Sequence, residues 1–144
     1  MITAKLEGVP ELMAAFRGLK PSTQAAAMRR VMREAAAPIQ ETAERLVPIS
    51  EDAPHIVDHI VIQTLTKVDD ETFGGKRQLD DTEFAVAVGP ARWAFYGWMQ
   101  EYGTVHHGAK PFMRPAVDQE GAGAMKIIQS GLWAIVARLA RRQR

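Results

Sequence analysis

The chain has 144 residues, 47% of them apolar and 24% charged, and its formal net charge is +1 at pH 7. This length suits a single domain over residues 1–144, and the apolar fraction is enough for a hydrophobic core. The near-zero net charge gives no indication of general polyanion binding, and the absence of cysteine excludes a disulfide framework, a thiolate metal site and a cysteine nucleophile. No membrane partner is expected, because no run of about 18 uncharged apolar residues occurs.

A short strand and two helices are predicted in the first third of the chain. Apolar and polar residues alternate over residues 2–7, which is typical of a strand, and Gly8 ends it. Pro10 is tolerated in the first turn of a helix that reaches about Leu19. Ser22 is a candidate N-cap for the longest helix, which reaches Leu46. The apolar stripe of this helix consists of Ala25, Met28, Met32, Ala35, Ile39, Ala43 and Leu46. Its opposite face carries Arg29, Arg30, Arg33, Glu41 and Glu44.

Pro38 lies inside the pattern of the long helix. A proline inside a helix removes one backbone hydrogen bond and clashes with the preceding turn, so we expect a kink or two helices end to end. A helix of this length in a small domain is expected to pack on a sheet or on a neighbouring subunit.

Two strands are predicted in the middle of the chain. Residues 59–68 are rich in β-branched side chains, and a second strand begins at Thr82 with Phe84, Val86 and Val88 on one face. Gly89-Pro90 is expected to stop the second strand. The polar, glycine-containing residues 69–81 predict a long hairpin connection. Residues 74–77 (Gly-Gly-Lys-Arg) lack the spacing of a phosphate-binding loop.

The aromatic residues 91–102 predict a short helix with Trp93, Tyr96 and Gln100 on one side, and Gly103 as its C-terminal cap. After Pro115 the pattern is helical to the end, although Gly121 and Gly123 can interrupt the first turns. The predicted fold is therefore α+β: a small antiparallel β-sheet packed against the long, Pro-kinked helix, with the C-terminal helix close by.

Four histidines are the candidates for a metal site. His55 and His59 are four residues apart beside Asp58, and His106-His107 form a second pair. The helical signature of metal hydrolases is absent, and His55 follows a predicted loop, so solvated loop histidines are the preferred interpretation. We predict no catalytic, cofactor-binding or metal-binding residue. A toxin-like or metal-dependent hydrolase is the rival from another functional class.

Glu101 is the candidate for acid–base chemistry, with His106 or His107 as its partner. Neither a positioned nucleophile nor a third orienting group accompanies it. We expect Glu101 instead to accept hydrogen bonds from backbone N–H groups or from Arg114, which would fix the loop between them.

The segment 94–116 carries the most specific pattern in the chain. Its motifs are Glu101-Tyr102-Gly103-Thr104 and, after a short loop, Pro111-Phe112-Met113-Arg114-Pro115-Ala116. This segment resembles the tail-component family of tailed bacteriophages, of lambdoid type, in which Tyr-Ala-x-x-x-Glu-Phe-Gly-Thr leads into Pro-Phe-Leu-Arg-Pro-Ala and a C-terminal helix. The resemblance follows the whole chain in order and includes an Ala-Ala-Ala-Pro-Ile step at residues 35–39. It departs after Val47-Pro48, where the Thr-Gly pair common in the family is missing.

The resemblance implies a structural virion protein, a ring-forming neck or tail-completion adaptor at the head–tail junction, present in the host cytoplasm during assembly. It implies a homo-oligomeric ring, a hexamer in preference to a dodecamer, bound to a head-closure or connector protein and to a tail terminator or tail tube protein. DNA would pass through the ring lumen. The alternative is that the chain is itself a tail terminator or a minor tail protein. The C-terminal arginines are typical of a solvated helix end, and in a ring they could face passing DNA. They are Arg138, Arg141, Arg142 and Arg144.

Aromatic residues and arginine are enriched at interface hot spots, so we expect the aromatic segment and the turn before the last helix to form the partner contact. Tyr96, Trp98 and Tyr102 are expected to divide between the core and this contact. The segments 47–58 and 69–81 are predicted to be mobile loops that become ordered on docking. The predicted interface residues are Trp93, Tyr96, Trp98, Glu101, Tyr102, Gly103, Thr104, Pro111, Phe112, Arg114 and Pro115.

Overall fold

The structure is a computed structural model that describes residues 9–49, 55–65 and 84–142, and within them the fold is α+β, as predicted. The predicted strand over residues 2–7 and the connection over 69–81 lie outside the described residues. None of the helices in these ranges is long and apolar enough to cross a membrane. The elements are α1 (Val9–Arg17), α2 (Pro21–Leu46), a 3-10 helix (Ile56–His59), β1 (Ile60–Leu65), β2 (Ala85–Pro90), α3 (Tyr96–Tyr102) and α4 (Met113–Arg142).

The long helix α2 begins one residue before the predicted cap. Lys20 is the N-cap, with an extended backbone, and Pro21 occupies the first helical position, where no intrahelical hydrogen bond is lost. The prediction that Ser22 caps the helix is therefore wrong. The Gln24 side chain donates to the carbonyl oxygens of Arg17 (3.2 Å) and Leu19 (2.6 Å), which ties α2 to the end of α1.

α2 continues through Pro38 as one helix of 26 residues, not as two helices end to end. The proline has no N–H, so one backbone bond is missing at this point. Buried Ala35 and Ala36 precede the proline, and buried Ala43 follows it. Packing on both sides of Pro38 therefore holds the helix together.

Within the described residues the sheet has two antiparallel strands, with α2 packed against both. Its register pairs Ile60 with Pro90 and Leu65 with Ala85. Strand β2 thus ends at Pro90, within the Gly89-Pro90 pair predicted to stop it, but this pair forms the last two residues of the strand and not a break after it. Proline is tolerated at the end of an edge strand, and the N–H of Ala91 extends the ladder to the carbonyl of His59 (2.8 Å).

The core consists of two clusters along α2 and α4, which run antiparallel. Val31 of α2 lies against Gly131 of α4, whereas Thr42 donates to Glu120 at the other end. The first cluster joins the C-terminal half of α2 to the sheet and the start of α4, and consists of Ala43, Val47, Ile56, Ile60, Phe112 and Ala116. The second joins α1, the N-terminal half of α2 and the C-terminal half of α4, and is built around Phe16, Val31 and Leu132.

Two predictions are affected by this packing: the interruption of α4 by glycine and the mobile loop over residues 47–58. α4 is one continuous helix of 30 residues, so Gly121 and Gly123 do not interrupt it. Val47 and Ile56, near the two ends of the predicted mobile loop 47–58, are buried in the first cluster. The ends of that loop are therefore fixed by the core, and residues 50–54 lie outside the described residues.

Candidate functional site

Helix α3 is seated on the sheet through a glycine. A Cβ added to Gly97 would lie 2.5 Å from the Pro90 side chain and 3.6 Å from Ile56. Since real Cβ contacts are longer than the first of these distances, only glycine permits this approach. The side of α3 that faces the protein therefore begins with the smallest residue available.

One turn further along this side, the Glu101 carboxylate holds the start of α4. Its oxygens accept hydrogen bonds from the backbone N–H groups of Phe112 (2.8 Å), Met113 (2.9 Å) and Arg114 (3.1 Å). The Arg114 Nε also lies 3.3 Å from the carboxylate. The prediction that Glu101 binds backbone N–H groups or Arg114 is confirmed for both partners.

These contacts account for the donors in the first turn of α4. The first N–H groups of a helix have no partner within the helix. Here Met113 and Arg114 donate to Glu101, Pro115 has no N–H, and Ala116 makes the first helical bond, to the carbonyl of Phe112 (3.2 Å). A side chain from α3 therefore caps α4, and the positive end of the α4 dipole favours the negative carboxylate.

The electrostatics of Glu101 follow from this arrangement. Burial by itself raises the pKa of the carboxyl, since Glu101 is only 3% exposed. The hydrogen bonds from Met113, Phe112 and Arg114, together with the Arg114 guanidinium, outweigh burial and hold the pKa below its ordinary value. Glu101 is thus a fully engaged carboxylate rather than a free general base.

Gly103 closes α3 and turns the chain towards α4. It has φ 79° and ψ 174°, a region that L side chains avoid, and its N–H donates to the carbonyl of Met99 (2.8 Å). The prediction of a glycine cap is confirmed. The Thr104 hydroxyl then accepts from the N–H groups of His106 (3.1 Å) and His107 (3.3 Å). The loop is therefore closed by its own short-range hydrogen bonds.

The face of α3 that points to solvent is apolar. Phe95, Trp98, Met99 and Tyr102 follow the i, i+3, i+4, i+7 spacing of one helical face, and they are 60%, 42%, 44% and 62% exposed. We call these residues the outward stripe. On a helix of a globular protein such a stripe normally faces the core. Here the buried side holds Gly97 and Glu101 instead, so the usual arrangement is inverted.

Ring contacts order one end of the outward stripe. The Trp98 and Tyr102 rings stack with centroids 5.9 Å apart and an angle of 9° between their planes. The Arg114 guanidinium carbon lies 5.0 Å from the centre of the Tyr102 ring, a cation–π contact. An open pocket of about 320 Å³ adjoins them, with Pro90 and Val117 among its lining residues. Arg114 therefore links the buried carboxylate to the exposed aromatic rings.

The histidines are dispersed over this surface. The His59 ring lies with its centroid 4.0 Å from that of Trp93, in an edge-to-face contact, and His106 and His107 lie in the exposed loop after Thr104. Within residues 9–49, 55–65 and 84–142, no three His, Asp or Glu side chains group closely enough to hold a metal ion.

The structure brings the predicted interface residues together around α3 and the start of α4, but in different environments. The exposed ones are Trp93, Trp98, Tyr102, Thr104, Pro111 and Arg114; Tyr96, Gly103 and Pro115 are partly buried. Phe112 is 0% exposed at the centre of the first core cluster, and Glu101 is also buried. These two residues hold the site in place and do not reach its surface.

Sequence reasoning missed Phe95 and Met99. Their spacing to Trp98 and Tyr102 was visible, but the predicted helix was placed with Trp93, Tyr96 and Gln100 on one side. The structure begins α3 at Tyr96, and this helix presents the other set of side chains to solvent.

The chain matches no family model, no curated protein and no solved structure at a significant level.

Proposed function

We propose that this chain is a structural virion protein of a tailed phage or prophage, a ring-forming neck or tail-completion adaptor that joins heads to tails through complementary surfaces. One observation carries the proposal. The segment that resembles the tail-component family, residues 94–116, is the segment that builds the outward stripe and the Glu101 cap.

The outward stripe has the properties of a subunit contact. Four large apolar side chains at helical spacing are costly to leave in water, and contiguous exposed apolar patches usually mark interaction sites. A helix that presents anchors at i, i+3, i+4 and i+7 is a common form of protein recognition. Trp, Tyr and Arg are the residue types most enriched among hot spots, and Trp98, Tyr102 and Arg114 lie together here.

The Glu101 cap supports binding by fixing the surface beforehand. Side chains and loops that become ordered on association reduce affinity. Glu101 joins α3 to α4 before any partner arrives, and Gly103 and Thr104 close the loop between the two helices. In this proposal the role of Glu101 is structural, because its carboxylate is bound by backbone N–H groups and by Arg114 and so positions the aromatic surface.

A matched pair of tryptophan substitutions tests where the chain assembles. Trp98 in the outward stripe is 42% exposed, and Trp133 on α4 is 39% exposed, so Trp98→Ala and Trp133→Ala remove equal groups of similar exposure. We expect Trp98→Ala to weaken self-association by about 30-fold or more, the effect of a hot spot. Trp133→Ala should retain the parent's association. Light scattering over a range of concentrations measures both, and equal behaviour of the two variants would place the contact elsewhere.

A second experiment tests the role in the virion. In the phage or prophage that encodes the chain, deletion of its gene should leave filled heads and separate tails, and added purified protein should restore their joining. Particles that mature normally without the protein would contradict the proposal, whatever its state of assembly.

A further inference from the structure

The antiparallel packing of α2 and α4 brings together two arginine-rich segments that are more than a hundred residues apart in sequence. The first is the N-terminal half of α2, and the second is the C-terminal end of α4. The basic side chains at this end of the molecule are all exposed; they are Arg17, Lys20, Arg29, Arg30, Arg33, Arg138 and Arg141. The acidic residues on the same helical segments are Glu11 and Glu34. Among the described residues, basic side chains therefore outnumber acidic ones at this end, although the chain as a whole carries a net charge of only +1.

An open groove of about 600 Å³ lies between the two helices at this end. We call it the basic groove. Arg30 of α2 and Arg138 of α4 line it, and among the described residues Glu34 is the only acidic one that does so. The other lining residues are small, aliphatic or hydroxyl-bearing, and include Ala27, Val31 and Ser22. The Arg30 Nε lies 2.9 Å from the Glu34 Oε1. This ion pair is exposed and contributes little to stability.

We propose that the basic groove and the arginines around it form a contact surface for the phosphate backbone of double-stranded DNA. The inference does not depend on ring assembly, because the surface is complete within one chain and lies on a different part of the fold from the outward stripe. It extends the contact beyond the C-terminal arginines to the side chains of α2.

The composition and spacing of the side chains favour a phosphodiester ligand. Six of the seven basic residues are arginines, whose planar guanidinium donates two parallel hydrogen bonds to phosphate oxygens. Arg29 and Arg33 are separated by about 6 Å along the helix. Alternate phosphates of one DNA strand are about 6.8 Å apart along the duplex axis. The spacing of these two arginines, which flank the groove-lining Arg30 on α2, is thus close to that of alternate phosphates.

The side chains, rather than the start of α2, supply the donors. The N–H groups of Thr23 and Gln24 are already bonded to the carbonyl of Lys20, at 2.9 and 3.0 Å. Binding should thus depend on charge, be insensitive to base sequence and weaken steeply with salt.

Two double variants with the same change in charge test the proposal. Arg30→Gln with Arg138→Gln removes the two arginines that line the basic groove. Arg45→Gln with Lys110→Gln removes two exposed charges from the opposite end of the molecule. Fluorescence anisotropy with a short labelled duplex DNA at low salt should show binding by the parent, with a log–log salt slope steeper than about −3. The groove variant should lose about tenfold in affinity and reduce the slope by about two, whereas the control should lose less than threefold.

A third variant gives a gain of binding. Glu34→Gln removes the acid from the groove and frees Arg30, so it should strengthen DNA binding several-fold, a result that misfolding cannot produce. Equal losses in the two double variants, no change with Glu34→Gln, or undetectable binding by the parent would each overturn the proposal. Stronger competition by an acidic polyglutamate peptide than by unlabelled duplex would also overturn it, because the surface would then serve an acidic protein.

Discussion

Glu101 shows how one buried side chain can organise the junction between two helices. A buried carboxylate is costly unless its charge is compensated. Three N–H groups and one guanidinium compensate it here, and the same bonds satisfy the donors at the start of α4. The charge therefore stabilises the junction between the two helices that frame the aromatic surface.

Replacing the carboxylate by an amide tests this role. Glu101→Gln should lower the free energy of unfolding by about 2 to 3 kcal/mol at neutral pH, because charge-assisted hydrogen bonds are weakened and an amide N–H₂ faces backbone donors. Glu41 is exposed on α2, so Glu41→Gln is the control and should change the free energy of unfolding by less than about 0.5 kcal/mol.

The pH dependence gives a second check on Glu101. Since folding lowers the pKa of this carboxyl, its stabilisation is complete above the ordinary carboxyl pKa and is lost as pH falls through the folded-state pKa. Urea unfolding at a series of pH values should therefore show the parent and Glu101→Gln converging in acid. A difference that stays constant down to pH values below both pKa values would show that the charge is not responsible.

Gly103 is the second residue whose identity is prescribed by the backbone. A Cβ at this position would meet the Ala109 backbone nitrogen at 2.7 Å, and φ is 79°. Gly103→Ala should therefore cost about 2 kcal/mol or more. Gly108→Ala is the control, because nothing lies within 4 Å of its Cβ. Thermal melts that shift equally for both variants would contradict the description of this turn.

At the scale of elements, α2 and α4 approach each other closely at Gly131. A Cβ there would lie 2.9 Å from both methyl carbons of Val31, so Gly131→Ala should destabilise the protein by about 1 to 3 kcal/mol. Gly123 lies on the same helix with open space around its Cβ. Gly123→Ala should stabilise by up to about 1 kcal/mol, because alanine is the better helix former. Urea unfolding compares the two, and changes of the same sign would contradict this packing.

The compensating change provides a control on mechanism. Val31→Ala removes the atoms that Gly131→Ala would meet. The double variant should therefore lose less free energy of unfolding than the two single variants lose in sum.

Helix α3 shows why the site was only partly predictable. Its existence, its glycine cap and the Glu101 contact follow from local patterns. Which face it presents to solvent depends on the approach of Gly97 to Pro90, a contact between separate elements. A pattern of apolar residues at helical spacing is normally read as a core face, and here it faces outward.

At the scale of the whole molecule, the rings of two described histidines contact other groups of the chain. The His59 ring packs against Trp93, and the His107 Nδ1 lies 3.0 Å from the Gly108 carbonyl oxygen. We expect a chelator to leave the melting temperature and self-association unchanged. Elemental analysis of the purified protein checks this directly. A stoichiometric metal that is lost together with assembly would favour the metal-dependent alternative.

The sequence alone determined the α+β class, the spans of α2 and α4 to within a few residues, the Gly103 cap and the partners of Glu101. These features depend on periodicity and on chemistry within about a dozen residues, which a pattern records. The tertiary structure decided that α2 runs through Pro38 and that Pro90 pairs with Ile60. It also decided that Phe112 lies in the core, and that Arg30 and Arg138, which are far apart in the sequence, line one groove. Each of these depends on contacts between distant segments, whose packing energy outweighs the local preference of a single residue.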